Sequence, residues 1–456
     1  MRVQVLFSRM KSLLKKSKAA FQKDIGDAGF REVVKGSAGT FIIRIGGMIA
    51  GYAFIFLISR FYGSEVLGAH TLSVTVLMMF TVAGRLGMDT AIVRHFAQDY
   101  QNGRWDRVLE VYLKTMQVII PFGILLSVIL FFSSEILANA IFKKPLLEPY
   151  FKVISFAVLP MTLRFVNSEC YRGFRMNKEY AYSQNVGYFL YGSVILGIGT
   201  LFTKHEWMPN IAFALSLTFL AISSSAMIFR KIKSNTQVAS DEYRKSEMVR
   251  SSLPMLLSSS LVLLSGWINT IMLGIFSTES DVGVFSVILK IATFSSLALM
   301  SINSISAPRF AQLYAKNDMQ GLAVYTSHTA KVIFFSSVPI FTGIIVFREL
   351  LMGLFGPDFL IGTQALVVTM IGQMFNVFAG SVGHFLNMTG KQHVFRNIVL
   401  ISAAINIIAC FFLIPSMGLM GSAIAGMLFL ACWNLMSMIY IKRTYSIRTY
   451  YWPFGK

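Results

Sequence analysis

Residues Phe41–Ser59 read FIIRIGGMIAGYAFIFLIS, a run of 19 residues in which Arg44 is the only charged side chain. As a helix, such a run is long enough to cross a hydrocarbon core about 30 Å thick. Comparable runs recur along all 456 residues, of which 55% are hydrophobic and 14% charged, whereas soluble domains carry about 25% charged residues. The sequence therefore predicts an all-α polytopic membrane protein.

Twelve transmembrane helices are predicted, at 37–59, 66–88, 112–133, 150–168, 181–203, 208–229, 252–275, 282–306, 325–347, 360–386, 395–414 and 419–441. The longest polar connection, Arg230–Arg250, separates the sixth span from the seventh. The predicted order is a basic N-terminal segment, an N-terminal six-helix lobe, a cytoplasmic linker, a C-terminal six-helix lobe and a cytoplasmic tail, at 1–36, 37–229, 230–251, 252–441 and 442–456.

Positive charge decides the predicted orientation, because cytoplasmic loops collect Lys and Arg. If the N-terminus is cytoplasmic, the cytoplasmic segments carry 32 of the 41 Lys and Arg, and the segments on the far side carry six. We therefore predict that both termini are cytoplasmic. Met1–Lys35 lacks the apolar core of a signal peptide, and its apolar residues recur at helical spacing among nine cations. It suits a helix on an anionic leaflet, with a disordered basic tail as the alternative.

The two halves carry similar landmarks in the same order. The sequence FAQDY at Phe96–Tyr100 is echoed by FAQLY at Phe310–Tyr314, at an offset of 214 residues. An even number of spans gives both halves the same orientation, so we predict two six-helix bundles related by a parallel pseudo-repeat, with substrate between them. Four further pairs lie at nearly the same offset: Glu65 and Glu279, Gly68 and Gly283, Pro121 and Pro339, and Lys178 and Lys391.

Three motifs resemble those of a known family. A YGxxxxG turn lies at Tyr62–Gly68, a GxxxAxxR run at Gly87–Arg94, and the run APRFAQLY at Ala307–Tyr314. With the glycine-bearing first helix, they resemble the polysaccharide-biosynthesis flippases of the multidrug/oligosaccharidyl-lipid/polysaccharide exporter superfamily. The resemblance extends over nearly the whole chain through the twelve-span, two-lobe plan.

The resemblance implies a flippase for oligosaccharide repeat units, such as those of lipopolysaccharide O-antigen or capsule, carried on undecaprenyl pyrophosphate. It further implies a cationic central cavity, alternating access and a place in the bacterial inner membrane. The expected partners are lipid-linked oligosaccharide and membrane lipids, with a polysaccharide polymerase and a chain-length regulator as candidate protein partners. No cofactor is expected, and a proton or sodium gradient is the candidate energy source.

Polar side chains at helical spacing select candidate substrate contacts, because polarity turned towards lipid is costly. Arg44, Arg85 and Lys290 lie within spans 1, 2 and 8, and Arg164 lies late in span 4. No Asp or Glu lies deep in any predicted span, so we predict that these cations bind the pyrophosphate, with Arg44 and Lys290 in one site. Snorkelling towards the headgroups is the alternative. Spans 7 and 10 add Asn269, Gln373, Asn376 and His384.

Two of these polar candidates have structural alternatives. Trp267 with Asn269 fits either a sugar contact or an interfacial anchor or packing aromatic, and His384 fits either a proton relay or a hydrogen-bonded core position.

Other classes of function are disfavoured by the sequence. It contains no GxxxxGK[ST], HExxH or GxSxG motif, so we predict no enzymatic activity. The net charge of +20 comes without a nucleic-acid-binding motif, and three scattered cysteines indicate neither a disulfide framework nor a metal site. The alternatives are a multidrug or organic-cation antiporter of the same superfamily, which would favour a buried carboxylate in the N-terminal lobe, and a non-transporting scaffold for glycan assembly.

Overall fold

The computed structural model describes residues 28–236 and 266–451, and every regular element in these two ranges is helical. The predicted surface helix near the N-terminus lies outside the described residues. So do most of the predicted linker and the first part of predicted span 7.

Short turns join the helices before residue 236. A π-helical turn at Tyr182–Val186 leads from α6 into α7, another at Leu137–Ile141 extends α3, and a 3₁₀ turn at Pro145–Leu147 precedes α4. The helices are α1 (Ala28–Gly84), α2 (Met88–Gln101), α3 (Trp105–Ile136), α4 (Glu148–Ser155), α5 (Val158–Gly173), α6 (Asn177–Ala181), α7 (Gly187–Phe202) and α8 (Met208–Lys233).

The second described range follows the same plan. A 3₁₀ turn at Pro357–Gly362 precedes α14, and α16 continues into the predicted tail. The helices are α9 (Ile268–Phe276), α10 (Glu279–Ser295), α11 (Leu297–Ala315), α12 (Met319–Val346), α13 (Arg348–Gly353), α14 (Thr363–Phe378), α15 (Val382–Met388) and α16 (Gln392–Tyr445).

The helices are long and apolar enough to make a multi-pass membrane protein. Within the described residues, seven helical stretches could cross a membrane, or nine if each of two bent pairs counts as one span. The pairs are α4 with α5, bent by 49°, and α10 with α11, bent by 52°. Both bends fall inside predicted spans, the fourth and the eighth.

Two long helices are each divided by a glycine. Gly63 in α1 has φ 82° and ψ −176°, and Gly418 in α16 has φ 50° and ψ −125°. Glycine reaches these angles at little cost because it lacks Cβ. Gly63 lies in the predicted turn between spans 1 and 2, and Gly418 lies between predicted spans 11 and 12.

Among the residues that the structure describes, the apolar core has three parts. The largest joins α1, α4 and α8 to α10 and α14, so it runs through both halves of the chain. Two smaller clusters are built on aromatic pairs: Phe96 packs on Phe174 with centroids 5.0 Å apart, and Phe310 packs on Phe385 with centroids 5.6 Å apart. Each half therefore has its own aromatic cluster, separate from the shared core.

The chain after α16 folds back onto the second half. Thr449 is buried, and its carbonyl oxygen lies 2.7 Å from where a Cβ would stand on Gly380, the residue with φ 77° in the break between α14 and α15. The Tyr451 ring packs against Phe334 of α12 with centroids 5.5 Å apart. Residues 446–451 therefore cover the break. Thr449 can approach this closely only because Gly380 has no side chain.

Candidate functional site

A cavity of about 330 Å³ lies between the two halves of the chain. Its walls come from the parts of α1 before and after Gly63, from α7 and α8, and from α9 and α10. Most lining side chains are apolar or aromatic, with a few Ser and Thr hydroxyls, and Lys290 is the one Lys, Arg, Asp or Glu among the described residues that line it. A cation in such walls is screened less than one on a surface, so it attracts an anion more strongly.

Lys290 faces the cavity from α10, on the same helix face as Ser286 and Thr293. Its Nζ lies 5.0 Å from the centroid of the Phe189 ring, a cation–π contact. Gly51 of α1 makes room for both groups, because a Cβ there would stand 3.1 Å from the ring and 3.5 Å from Nζ. Within the described residues no carboxylate pairs with Lys290. The ammonium therefore keeps its donors for a ligand.

Tyr52 connects α1 to α10 beside this cation. Its hydroxyl donates to the carbonyl oxygen of Lys290, and its ring stacks on Phe294 with centroids 4.5 Å apart. The backbone that carries Lys290 is thus held by the first half of the chain. The position of the ammonium depends on how the halves meet.

His70 lines the same cavity and is absent from the predicted set. Its ring lies 5.6 Å from Phe54 and 5.5 Å from Phe213, between centroids, and its Nδ1 is 2.6 Å from Asn210 Oδ1. Asn210 Nδ2 donates to the carbonyl oxygen of Tyr150 at 3.1 Å, which orients the amide. Nδ1 is therefore the donor in this contact. The sequence feature that could have identified His70 is a histidine inside an apolar predicted span.

Arg85 and Arg164 lie outside the cavity, against one aromatic ring. Their Cζ atoms are 4.5 Å and 4.1 Å from the centroid of Phe165. Arg85 also pairs with Asp89 at 2.8 Å, so it is not an unpaired cation. The ion pair spans the turn between α1 and α2 and fixes that turn rather than offering charge to the cavity.

Arg164 is only 1% exposed, so it neither snorkels to a surface nor reaches the cavity. Its Nη1 donates to the carbonyl oxygens of Ser183 at 3.0 Å and Gln184 at 3.3 Å, both in the π turn. The guanidinium also lies 4.7 Å from the centroid of the Tyr188 ring. Its contacts are within the first half of the chain.

Arg44 is exposed and does not line the cavity. Its spacing from Gly47 and Gly51 puts the three residues on one face of α1. Gly47 packs against the backbone of Asn185 and Gly51 against the cavity wall, so Arg44 continues this face two turns away, about 10 Å along the helix. The structure does not bring Arg44 and Lys290 together.

Asn269 joins two helices. It donates to the carbonyl oxygen of Ser422 at 2.8 Å and accepts from Asn406 at 2.7 Å, both in α16. Its amide is therefore occupied by helix packing in this conformation.

Gln373 and Asn376 form a polar contact at the bend between α10 and α11. Gln373 Oε1 accepts from Ser296 Oγ at 3.0 Å and from Asn376 Nδ2 at 3.3 Å. His384 has an exposed side chain, so it is not the hydrogen-bonded core histidine of the alternative interpretation. None of the three lines the cavity.

The two halves close on each other at the end of the bundle where α1 turns at Gly63, called the Gly63 end below. Ser64 Oγ and Ser280 Oγ are 2.8 Å apart. One turn deeper, Gly68 and Gly283 cross: a Cβ added to either would stand 3.0 Å from the backbone nitrogen of the other. Small residues at such a crossing let helix backbones approach closely.

Lys144, in the turn before α4, reaches the second half at the same end. Its Nζ donates to the carbonyl oxygen of Ser277 and lies 3.5 Å from the Glu279 carboxylate. Burial lowers the pKa of the Lys144 ammonium, and the Glu279 carboxylate opposes that shift. The result is a partly buried ion pair that links the halves.

Reversing the charge of Lys144 is expected to weaken this closure. Lys144→Glu places two carboxylates where an ion pair stood, and a shift of about 1 kcal/mol, roughly fivefold in the closed population, is expected for such a pair. The measurement is disulfide formation between Ser64→Cys and Ser280→Cys. Adding Glu279→Lys should restore the rate, while Lys143→Glu, an exposed neighbour, should leave it unchanged. Equal rates of disulfide formation in Lys144→Glu and wild type would show that the ion pair does not stabilise the closed state.

The fold is that of a transporter. The structure is similar to an inward-facing multidrug resistance MATE family transporter of the MOP superfamily, with a TM-score of 0.70 and 16% identity over 89% of this chain and 98% of that one. It is also similar to the lipid II flippase MurJ in an inward closed conformation, with a TM-score of 0.67 and 15% identity over 90% of this chain and 87% of that one. Likeness at this identity shows the shared fold.

The sequence shows the family. The family model described as polysaccharide biosynthesis protein matches residues 33–314, more than half of the chain, and the chain belongs to this family of polysaccharide flippases in the MOP superfamily. The resemblance in the motifs is thereby confirmed. A second model, MatE, matches residues 254–412.

Two relatives come from archaea. A probable low-salt glycan biosynthesis flippase of Haloferax volcanii is 26% identical over 190 residues, which are 41% of this chain and 40% of that protein. An uncharacterized membrane protein of Methanocaldococcus jannaschii is 21% identical over 406 residues, 81% of this chain and 76% of that protein. The match to the Haloferax protein thus spans less than half of its length.

Proposed function

We propose that the protein flips a lipid-linked oligosaccharide, an O-antigen, capsule or exopolysaccharide repeat unit on undecaprenyl pyrophosphate, across the bacterial inner membrane. One observation carries the proposal: Lys290 is the one formally charged side chain among the described residues that line the cavity between the halves. A pyrophosphate supplies the complementary charge, and apolar walls strengthen the attraction. The name of the Haloferax relative, a probable glycan flippase, supports the substrate class.

The alternative is a multidrug or organic-cation antiporter, which the likeness to the MATE transporter favours. A cation would need negative charge in the cavity. The buried or half-buried carboxylates of Asp89, Asp99, Glu110 and Glu169 instead pair with Arg or Lys near helix ends, and none of them lines the cavity. The charge of the site supports an anionic substrate. A non-transporting scaffold would need no such cavity.

Within this proposal the candidate residues take different roles. Lys290 is the proposed ligand of the pyrophosphate, and Arg44 is a second cation on the same side of α1, two turns from the cavity. In the observed conformation the other candidates hold helices together or lie at the surface, so any contact of theirs with substrate belongs to another state. These are Arg85, Arg164, Asn269, Gln373, Asn376 and His384.

Alternating access is the proposed mechanism, with twelve spans in two repeated bundles. Gly63 and Gly418 each divide one long helix into two segments, and in this proposal each segment is one span. The crossing of Gly68 with Gly283 and the matched aromatic clusters around Phe96 and Phe310 follow the offset of the repeat, which supports the duplication.

With both termini cytoplasmic, as the charge bias indicates, the Gly63 end faces outwards and this conformation is closed to the outside. A substrate shifts such an equilibrium only by binding one state better than the other. A proton or sodium gradient is the proposed energy source, and a polymerase and a chain-length regulator are the proposed protein partners.

The proposal is tested by deleting the gene and following the lipid-linked intermediate. Pyrophosphate-linked glycan should accumulate on the cytoplasmic leaflet, where an added glycosidase reaches it in inside-out vesicles but not in right-side-out vesicles. Expression of the wild-type chain should reverse the accumulation. Unchanged glycan distribution together with lost efflux of a cationic dye would instead favour the antiporter.

A further inference from the structure

The π turn between α6 and α7 has an unusual partner. In a π turn the backbone bond runs from residue i to i+5, which removes a carbonyl group from the ordinary ladder of the α-helix. Here the carbonyl oxygens of Ser183 and Gln184 accept from one guanidinium, that of Arg164, at 3.0 Å and 3.3 Å. A buried backbone carbonyl needs such a donor.

Arg164 is an expensive donor to place there. It is 1% exposed, no carboxylate pairs with it within the described residues, and its Nε has no hydrogen-bond partner there. A buried, unpaired cation is costly in any protein and more so in a membrane. A neutral amide could donate to a carbonyl oxygen but would not place a cation over the Tyr188 ring, so the guanidinium indicates a further task.

A chain of aromatic contacts connects Arg164 to the cavity. The guanidinium lies 4.7 Å from the centroid of Tyr188, and the Tyr188 and Phe189 centroids are 4.2 Å apart. Phe189 lies 5.0 Å from the Nζ of Lys290 and borders Gly51. Tyr188 and Phe189 come shortly after the π turn that Arg164 holds. The position of the turn therefore sets the positions of both rings.

We propose that Arg164 is a positioning residue for the anion site. It holds the π turn and, through Tyr188, places the Phe189 ring under the ammonium of Lys290. The proposal rests on the proposed function, since it concerns the same site, and it assigns Arg164 no contact with substrate. Arg164 therefore controls the affinity of Lys290 for pyrophosphate from outside the cavity.

The test is a double-mutant cycle on binding of farnesyl pyrophosphate to the purified protein. Arg164→Lys keeps the charge but loses the planar guanidinium, whose Nη1 donates to both carbonyl oxygens and whose Cζ lies over the Tyr188 ring. It should weaken binding about tenfold, which lies between the effects of an exposed and of a desolvated cation–π contact. In a Lys290→Gln background the same change should have no further effect, because coupled residues are not additive. Arg172→Lys is the matched control, since Arg172 is half-exposed and pairs with Glu169 at 3.1 Å.

Hydrogen exchange of residues 182–189 is the second measurement, and it needs no ligand. Arg164→Lys and Arg164→Gln should speed exchange there by about tenfold without a general loss of protection, and Lys290→Gln should not. Additive losses of binding with unchanged exchange would make Arg164 an independent ligand and overturn the proposal. Unchanged exchange and binding would overturn it too. Failure of the wild type to bind the probe would count against the proposed function, while the exchange data would still decide the role of Arg164 in the π turn.

Discussion

Replacing Lys290 by alanine is expected to abolish glycan export while the protein remains in the membrane at its normal level. The ammonium is the one formal charge among the described residues lining the cavity, so its loss leaves a pyrophosphate without a counter-ion in apolar surroundings. Removing one partner of a buried charge pair costs about 2–5 kcal/mol, which lowers export at least about thirtyfold. The measurement is the rate at which glycan reaches the outer surface in a strain that depends on this chain.

Two further substitutions at Lys290 separate charge from size. Lys290→Gln keeps much of the length without the charge and should match alanine, whereas Lys290→Arg keeps the charge, can still stack on Phe189 and should retain part of the activity. Lys316→Ala is the control, because Lys316 is exposed at the end of α11 and away from the cavity. Normal export by Lys290→Gln would show that the cavity does not recognise the substrate through charge.

Adding a single methyl group at the Gly68–Gly283 crossing is expected to have a comparably large effect. Alanine at an exposed helical position normally stabilises a helix relative to glycine, by about 0.5–1 kcal/mol. At Gly68, however, the new Cβ would stand 2.6 Å from the carbonyl carbon of Glu279, and backbone atoms cannot move aside as a side chain can. Gly68→Ala should therefore lower the closed population roughly tenfold or more.

The Ser64→Cys and Ser280→Cys pair reports on this closed state, since the two hydroxyl oxygens are 2.8 Å apart. Cross-linking should be fast with glycine at position 68 and slow with alanine, and glycan export should fall in parallel. Gly46→Ala is the matched control, because a Cβ there meets no atom within 4 Å. Fast cross-linking in the Gly68→Ala protein would mean that the crossing tolerates a wider separation.

Hydropathy predicts most of this fold because a membrane leaves the backbone few options. Apolar runs must be helical to satisfy their hydrogen bonds, and the turns at Gly63 and Gly418 fall where polar and glycine residues interrupt those runs. The bend at Ser296 has no such local signal. It is accompanied by a hydrogen bond to Gln373, 77 residues away, and the tertiary pairing behind it cannot be read from one sequence.

The candidate site is harder to predict for the same reason. The stripe that contains Ser286, Lys290 and Thr293 could be recognised, because helical spacing alone places the three on one face. Whether a buried cation faces a cavity or a carbonyl group depends on neighbouring helices. Arg164 donates to backbone carbonyl oxygens in a π turn, and no sequence motif predicts that turn. The hydrogen bond of His70 depends on the orientation of the Asn210 amide.

Residues 446–451, which fold back after α16, limit how far the chain can be shortened without disturbing the second half. Because Thr449 and Tyr451 cover the break at Gly380 and the adjoining face of α12, these residues belong to the structural unit of the second half. A shortened chain should keep residues up to Tyr451, since cutting at Tyr445 would expose Gly380 and the face of α12 on which Tyr451 packs. A fused fluorescent protein or affinity tag is best joined after Tyr451, through a linker long enough to leave that packing undisturbed.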